Sequence, residues 1–378
     1  MTADIGPAEP DNLRLTTKKR MKILVLCSQA KNTGAAFRAE YIYKYLKKAG
    51  AEAEYIYPPF NSLPLMLDFI LSMVYYFFAI MNRKPDFVII QKPYPNTVLP
   101  ALVLKAAGAR LIMDIDDMDS GYRTGLTGAF IKWLQHGLTK NADLITSHNS
   151  ELIKAILKEL PEYKTRIYRL NQCVDLDLFS PGKASKSGIK AIKKANAGKK
   201  MLFYMANLNI ASCLDGILEA MTHIKDDNII LHVAGGGPLL GKYMRAAAKK
   251  RLLKKVFFLG PLPRSRAAEY IMASDLCLVY YNEEPVNRYR ASMKLREYLA
   301  MSKPVVATSV GEIRDFKDSV YLCRPAPGAF AAEITKRLKT LDKREKKGYK
   351  VIRRDYDWGK ETRRFYEYLR ILMKKEGR

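Results

Sequence analysis

With 378 residues, of which 48% are hydrophobic, the chain is long enough to bury two cores. An excess of 65 Lys and Arg over 38 Asp and Glu gives a formal charge of +27, which attracts phosphorylated ligands, anionic membrane surfaces and polyanions. The five cysteines lack metal-type spacing, and no zinc pattern, recognition helix or aromatic RNP strand points to nucleic acid.

Residues 1–20 read as a disordered basic leader. They lack the apolar centre of a signal peptide, so a reducing, cytoplasmic location is expected. Lys22 to Cys27 (KILVLC) reads as a strand of the buried parallel type, followed by SQAKNTGA and a helical pattern to about Lys48. Gly34 lets the backbone turn tightly where a ligand could approach, or simply turn. The fingerprint G-x-G-x-x-G is absent, which argues against a nicotinamide enzyme.

Residues 63–81 (LPLMLDFILSMVYYFFAIM) are the most apolar run, interrupted by Pro64 and Asp68. A membrane span here would put two halves of one sheet on opposite sides of a bilayer and is rejected. Two readings stay open: a helix buried on the sheet, or one whose outer face enters the lipid interface. The cluster Tyr75, Tyr76, Phe77 and Phe78 and the cations Arg83 and Lys84 suit the second.

Strand patterns at 86–91, 111–114 and 144–147 alternate with helical ones, which predicts a doubly wound parallel sheet with ligands at the carboxyl ends of its strands. DIDDMDS places Asp114, Asp116, Asp117 and Asp119 at one such end. It reads as a metal or base site, or as a polar loop capping the next helix, and Asp116 and Asp117 are the favoured cleft residues. Ile167 to Leu170 and NQCVDLDLFSP close the first domain, and the Lys-, Ser- and Gly-rich stretch 182–200 suits a hinge.

A second alternating set begins at 201–206. The strand 229–234 runs into GGGP (235–238), whose glycines permit either a close backbone approach or a plain turn. After strands at 256–259 and 275–281 comes PVNRYRASMKLREYLAMSKPVVAT (285–308): a basic loop, a helix and a strand. Arg288, Arg290, Ser292 and Lys294 surround the start of that helix, and Met293, Leu295, Tyr298 and Leu299 are available for its buried side. Free N–H groups, the positive dipole end and neighbouring cations together favour a phosphate. Glu297, one turn further in, is placed to accept hydrogen bonds from paired hydroxyls such as those of a ribose. The layout calls for a sugar nucleotide. A Gly311–Glu312 turn, a strand near 320–323 and basic helices complete the chain, with Arg363, Arg364 and Arg370 of the last helix read as a solvated face.

The order Arg288, Arg290, Ser292, Lys294, Leu295, Glu297, Tyr298 ahead of Pro304-Val305-Val306-Ala307 resembles the donor-binding segment of retaining GT-B glycosyltransferases of family 4. Asn171, Val174, Asp175 and Phe179 resemble its Asn-Gly-Val-Asp-x-x-x-Phe signature, with Gln172 and Cys173 breaking the first half. Tyr289 stands where many members have a first glutamate, although Glu283 and Glu284 lie close by. Asn207, Asn209, Cys213 and Leu214 stand where many have the Arg and Lys-Gly of a diphosphate clamp, which leaves the anion to Arg288, Arg290 and Lys294.

The resemblance implies an α/β GT-B fold of two Rossmann-like domains facing across a cleft. It places an acceptor-side domain at 21–180, a linker at 181–200, a nucleotide-sugar domain at 201–355 and a helix at 356–378 crossing back. It implies catalytic roles for Arg290, Lys294, Asp116 and Asp117. Donor contacts fall to Arg288, Ser292, Leu295, Glu297, Gly235, Gly237, Asn207 and a base pocket at Leu262, and acceptor contacts to Asn32, Thr33 and Gly34. No metal or cofactor is needed, the donor being a UDP- or GDP-linked sugar. The charge and the apolar run, rather than the resemblance, lean towards a lipid-linked or cell-envelope glycan acceptor, with residues 63–81 open to contact with an anionic membrane surface on its inner face. Two rivals are a sugar-nucleotide epimerase or phosphorylase, and a non-catalytic basic protein of membranes or polyanions. His136, His148, His223 and His232 lie beside no paired carboxylates, which disfavours the epimerase.

Overall fold

The computed structural model describes residues 20–29, 34–59, 65–116 and 125–375. The leader (1–19), Asn32, Thr33, Asp117 and Asp119 lie outside them.

Strands β1 (Lys22–Cys27), β2 (Glu52–Ile56), β3 (Phe87–Gln91), β4 (Arg110–Ile115), β5 (Leu144–Ser147) and β6 (Ile167–Arg169) form one parallel sheet in the order β2-β1-β3-β4-β5-β6. Its inner strands are mainly apolar because both faces are covered, with Gln91, Asp114, Thr146 and Ser147 as buried polar residues toward their carboxyl ends. Ile23, Val25, Cys27, Ile89 and Ile112 point to the side of α1 (Gly34–Lys48). Leu24, Leu26, Val88, Ile90 and Met113 point to the other side, where α2 (Leu65–Ile80), α3 (Pro95–Ala106) and α5 (Ser150–Glu159) pack. Between α3 and α5 in the chain lies α4 (Gly125–Thr139).

The linker stretch differs from the hinge expected of its composition. It carries α6 (Lys186–Ala195), capped by the Ser185 hydroxyl, which accepts from Gly188 N at 3.2 Å. Ile189 and Ile192 pack on Met201, Ile230 and Ala273 while the lysines face water. An apolar pair at helical spacing sufficed to fold a segment whose bulk composition reads as unstructured.

The second sheet is also parallel, in the order β12-β11-β10-β7-β8-β9. Its strands are β7 (Lys200–Met205), β8 (Ile229–Ala234), β9 (Val256–Gly260), β10 (Leu276–Val279), β11 (Val305–Thr308) and β12 (Tyr321–Cys323). Around them lie α7 (Leu214–His223), α8 (Leu240–Lys249), α9 (Arg264–Ala273), α10 (Met293–Ala300), α11 (Pro327–Lys339) and α12 (Arg344–Asp355). The last helix, α13 (Trp358–Lys375), lies on the first domain, where Trp358, Phe365 and Leu369 join the cluster around α1.

Strand order reverses between β1 and β3 in one sheet and between β7 and β10 in the other. At such a reversal the flanking helices leave in opposite directions and a crevice opens at the carboxyl ends of the strands. Those two places are where a ligand site is to be sought.

Within the first domain, Asp114 is not a cleft ligand. Its carboxylate holds Arg38 of α1 through two hydrogen bonds of 2.7 and 2.8 Å and accepts from the Thr146 hydroxyl at 2.7 Å. Both ends of the pair are almost wholly buried, at 1% and 0% exposure. Removing one partner strands a charge in the interior, so Asp114→Ala is expected to cost about 3–5 kcal/mol. The double variant Arg38→Met/Asp114→Leu should recover most of that loss. Urea unfolding followed by circular dichroism measures both.

Candidate functional site

The chain leaves β10 through Tyr280 and Tyr281, makes a 3-10 turn at Pro285–Arg288, and enters α10. Ser292 is the N-cap, its hydroxyl accepting from Leu295 N at 3.3 Å. Two cations stand there. Arg290 Nη1 donates to the Ala211 carbonyl at 2.7 Å and to Asn287 Oδ1 at 2.9 Å, and its guanidinium lies 4.5 Å from the centre of the Tyr281 ring. Lys294 Nζ donates to the Tyr204 hydroxyl at 3.1 Å and sits 4.2 Å from that ring's centre. Tyr204 is on β7 and Tyr281 follows β10, so both cations rest on aromatic faces at the strand reversal. Burial, and secondarily the charge of Arg290, brings the Lys294 ammonium down to about 7. The arrangement can receive a diphosphate: two donors, the open end of a helix, and a lysine whose charged form an anion would restore.

The other expected contacts divide. Arg288 is exposed at the end of the 3-10 turn, and Leu262 is half-buried beside β9, against the second domain's core. Asn207 is exposed in the loop after β7. Leu295 is a core residue, 1% exposed, because the third position of α10 points at the sheet. Gly235 and Gly237 have φ of 134° and 146°, and the backbone they accommodate is the chain's own. A Cβ on Gly235 would lie 1.8 Å from the Ala206 carbonyl oxygen, and one on Gly237 would lie 2.7 Å from that of Leu208. The glycines let the loop after β8 close onto the loop after β7.

Glu297 is 4% exposed and paired with Arg264, the first residue of α9. The Arg264 guanidinium lies 4.8 Å from the ring centres of both Phe37 and Phe179, and 5.7 Å from that of Tyr41. Phe37 and Tyr41 belong to α1, so this pair touches the opposite domain. Sequence reasoning missed Arg264. Its one signal was a cation opening a helix directly after the expected base pocket.

From the first domain, Asn149 caps α5 with its side-chain oxygen and donates Nδ2 to the Tyr289 carbonyl at 2.8 Å. Tyr289 packs on the first domain's core and Met293 on the cluster around α1, so the basic loop lies directly against the facing domain. Asp116 follows β4. It accepts from Gln91 Nε2 at 3.0 Å and has Lys92 Nζ at 3.7 Å. His148 bonds the Asp116 carbonyl oxygen, and burial together with the Arg38 charge pushes its imidazole well below the usual range. Burial thus favours the neutral form of the ring. Gly34 opens α1, and Asn32, Thr33 and Asp117 fall outside the described residues. Among the described residues no group of three or more metal-ligating side chains occurs.

The geometry is matched by likeness to known proteins. Over 92% of this chain and 99% of the other, the protein superposes on the crystal structure of HepE from Anabaena in complex with UDP, with a TM-score of 0.70 at 15% identity. The fold is GT-B. Within it, residues 199–340 match the sequence profile of the family described as Glycosyl transferases group 1, which spans β7 to α11 of the GT-B second domain. The Bacillus subtilis protein named "Putative teichuronic acid biosynthesis glycosyltransferase TuaH" is 26% identical over 180 residues, 48% of this chain and 44% of TuaH. The alpha-monoglucosyldiacylglycerol synthase of Streptococcus pneumoniae is 22% identical over 186 residues, 47% of this chain and 40% of that protein. The matches thus span under half the length of these curated relatives. Together these likenesses show the GT-B fold and, in its second domain, a sequence profile of group 1 glycosyl transferases.

The state of Lys294 gives a pH signature. Below about 7 the ammonium is already charged; above it, an incoming diphosphate must draw a proton onto Nζ. Titration of a nucleoside diphosphate in buffers of differing ionisation enthalpy should show net proton uptake near about pH 8 and none near about pH 6. Affinity should fall as pH rises through that interval, and Lys294→Met should abolish the uptake.

Proposed function

We propose that this protein is a retaining family-4 glycosyltransferase that moves a sugar from a UDP- or GDP-linked donor to an acceptor hydroxyl. The observation that carries the reading is the meeting of Arg290 and Lys294 on the rings of Tyr281 and Tyr204 at the β7/β10 reversal. The match of residues 199–340 and the likeness to a protein seen with UDP support it.

Negative charge develops on the departing diphosphate as the sugar–oxygen bond breaks. Cations already held in place stabilise it without reorganisation, which is the main source of rate. In a front-face attack the acceptor oxygen approaches from the same side, and the leaving phosphate oxygen takes its proton. Holding donor and acceptor between the domains supplies the rest. Asp116, on the facing domain, is assigned to the acceptor side. Glu297 is assigned to the ribose hydroxyls, with Arg264 fixing the carboxylate. The acceptor is read as a lipid-linked or cell-envelope glycan met at the inner face of the cytoplasmic membrane, in keeping with the named activities of the two relatives.

Arg290→Ala and Lys294→Ala should each lower kcat by about 10²–10³ while the thermal transition is kept. Full turnover in both would remove the diphosphate role. Glu297→Ala should weaken UDP or GDP binding about tenfold by calorimetry. Because it also strips Arg264 of its partner, Arg264→Met/Glu297→Ala is the control, and it should bind as weakly as Glu297→Ala alone. A thermal-shift series with uridine and guanosine sugar diphosphates identifies the donor, and a non-catalytic basic scaffold would respond to none.

A further inference from the structure

α2 is covered on one side only. Ser72, Tyr76 and Ile80 are buried against the first sheet, at 0%, 0% and 4% exposure. The opposite row, Leu67, Ile70, Val74, Phe78 and Met81, follows helical spacing and stands 45%, 50%, 44%, 70% and 59% exposed. In a helix that lies on a globular domain the outer row is normally polar. Here it holds no charge at all, and Asp68, beside Ser72, is the helix's one ionisable acid. The neighbouring helix α3 extends the patch with Leu99 and Val103, 40% and 52% exposed. A contiguous apolar surface of this kind marks a contact with something outside the chain.

We infer that the α2–α3 face docks on an anionic lipid bilayer, α2 lying flat in the interface. Length excludes a span: α2 has 16 residues, and at about 1.5 Å each it falls short of the roughly 30 Å of hydrocarbon. Among the described residues no helix is long and apolar enough to cross a membrane. Charge selects lipid headgroups over an apolar protein partner. Arg83 and exposed Lys84 follow directly after the stripe, and the whole chain carries +27. Arg83 is tied to Glu54 at 2.8 Å, so Lys84 is the cation that reaches outward most readily. This pairing of apolar row and basic end is the pattern of helices that rest in the headgroup region.

The placement also relates the face to the cleft. β2 ends at Ile56, at the carboxyl edge of the sheet, and α2 begins at Leu65 on that same edge before running to the opposite one. A bilayer against the stripe therefore reaches the rim where Gln91, Asp116 and Asn149 stand. The docking does not require sugar transfer; it deepens that reading by giving a lipid-borne acceptor its route.

The test is flotation of the full chain with vesicles of phosphatidylcholine and phosphatidylglycerol in equal parts, and with phosphatidylcholine alone. Wild type should float with the anionic vesicles, and Phe78→Ser/Met81→Ser should lower the bound fraction at least about tenfold, since two large apolar groups no longer enter the interface. Lys84→Glu should weaken binding to anionic vesicles only. Wild type left at the bottom of both gradients, or undiminished flotation of the double variant, would overturn the docking. So would a concentration-dependent dimer in gel filtration that the double variant dissolves, which would assign the face to a second copy. A UDP or GDP thermal shift kept by the double variant shows that fold and donor site persist, so failure here leaves the sugar-transfer reading untouched.

Discussion

Two like charges sit side by side, partly withdrawn from water, where β7 and β10 part. Such an arrangement is unfavourable until an anion joins it, and the lowered Lys294 ammonium is the measure of that cost. Everything near it keeps the two groups from relaxing apart. Tyr204 and Tyr281 support them from below, and Ala211 and Asn287 hold the arginine. Ser292 fixes the helix start. Gly311, with φ of 55°, lets the following loop press on the carbonyls of Asn287 and Arg288, where a Cβ would lie 2.7 and 2.9 Å from their oxygens. The second domain is in this sense a frame for one electrostatic feature.

The facing domain is organised by the complementary device, a buried ion pair with every oxygen spoken for. Arg38 bonds Asp114, the Leu170 carbonyl and Gln172, and so ties α1 to the ends of β4 and β6. One aspartate of the DIDDMDS run is thereby structural and its neighbour Asp116 faces Gln91 and Lys92. Local sequence could not separate them. Strand alternation places residues two apart on the same face, so that one of the two meets an arginine from a helix seventy-six positions away is a tertiary fact.

That contrast explains what was legible. Strand-helix alternation and the basic loop before α10 were readable because each is written in neighbouring residues: apolar runs, a capping serine, cations at the first turn. The GGGP turn was readable as a close approach, but not its partner, which proved to be the Ala206 backbone. α6 was hidden by its lysines, since composition averages over faces that a helix separates. Asn149 was silent, and Arg264 nearly so, for a further reason. Their importance lies in what the other domain brings to them, and no local pattern records that.

The same two residues bear on how the domains meet. Asn149 reaches the Tyr289 carbonyl, one residue before Arg290, while Arg264, the partner of Glu297, lies against rings of α1. Contacts from the first domain thus end within one residue of a candidate phosphate ligand and at the ion-pair partner of the candidate ribose ligand. Any ligand that shifts either group must alter the seam between domains, and any motion at the seam must alter the ligand site. By linkage the two are one equilibrium: whatever binds there better when the domains are together draws them together. An enzyme that must admit two substrates and then exclude water needs that coupling, and one amide and one guanidinium contribute to it here beside the packing of Tyr289 and Met293.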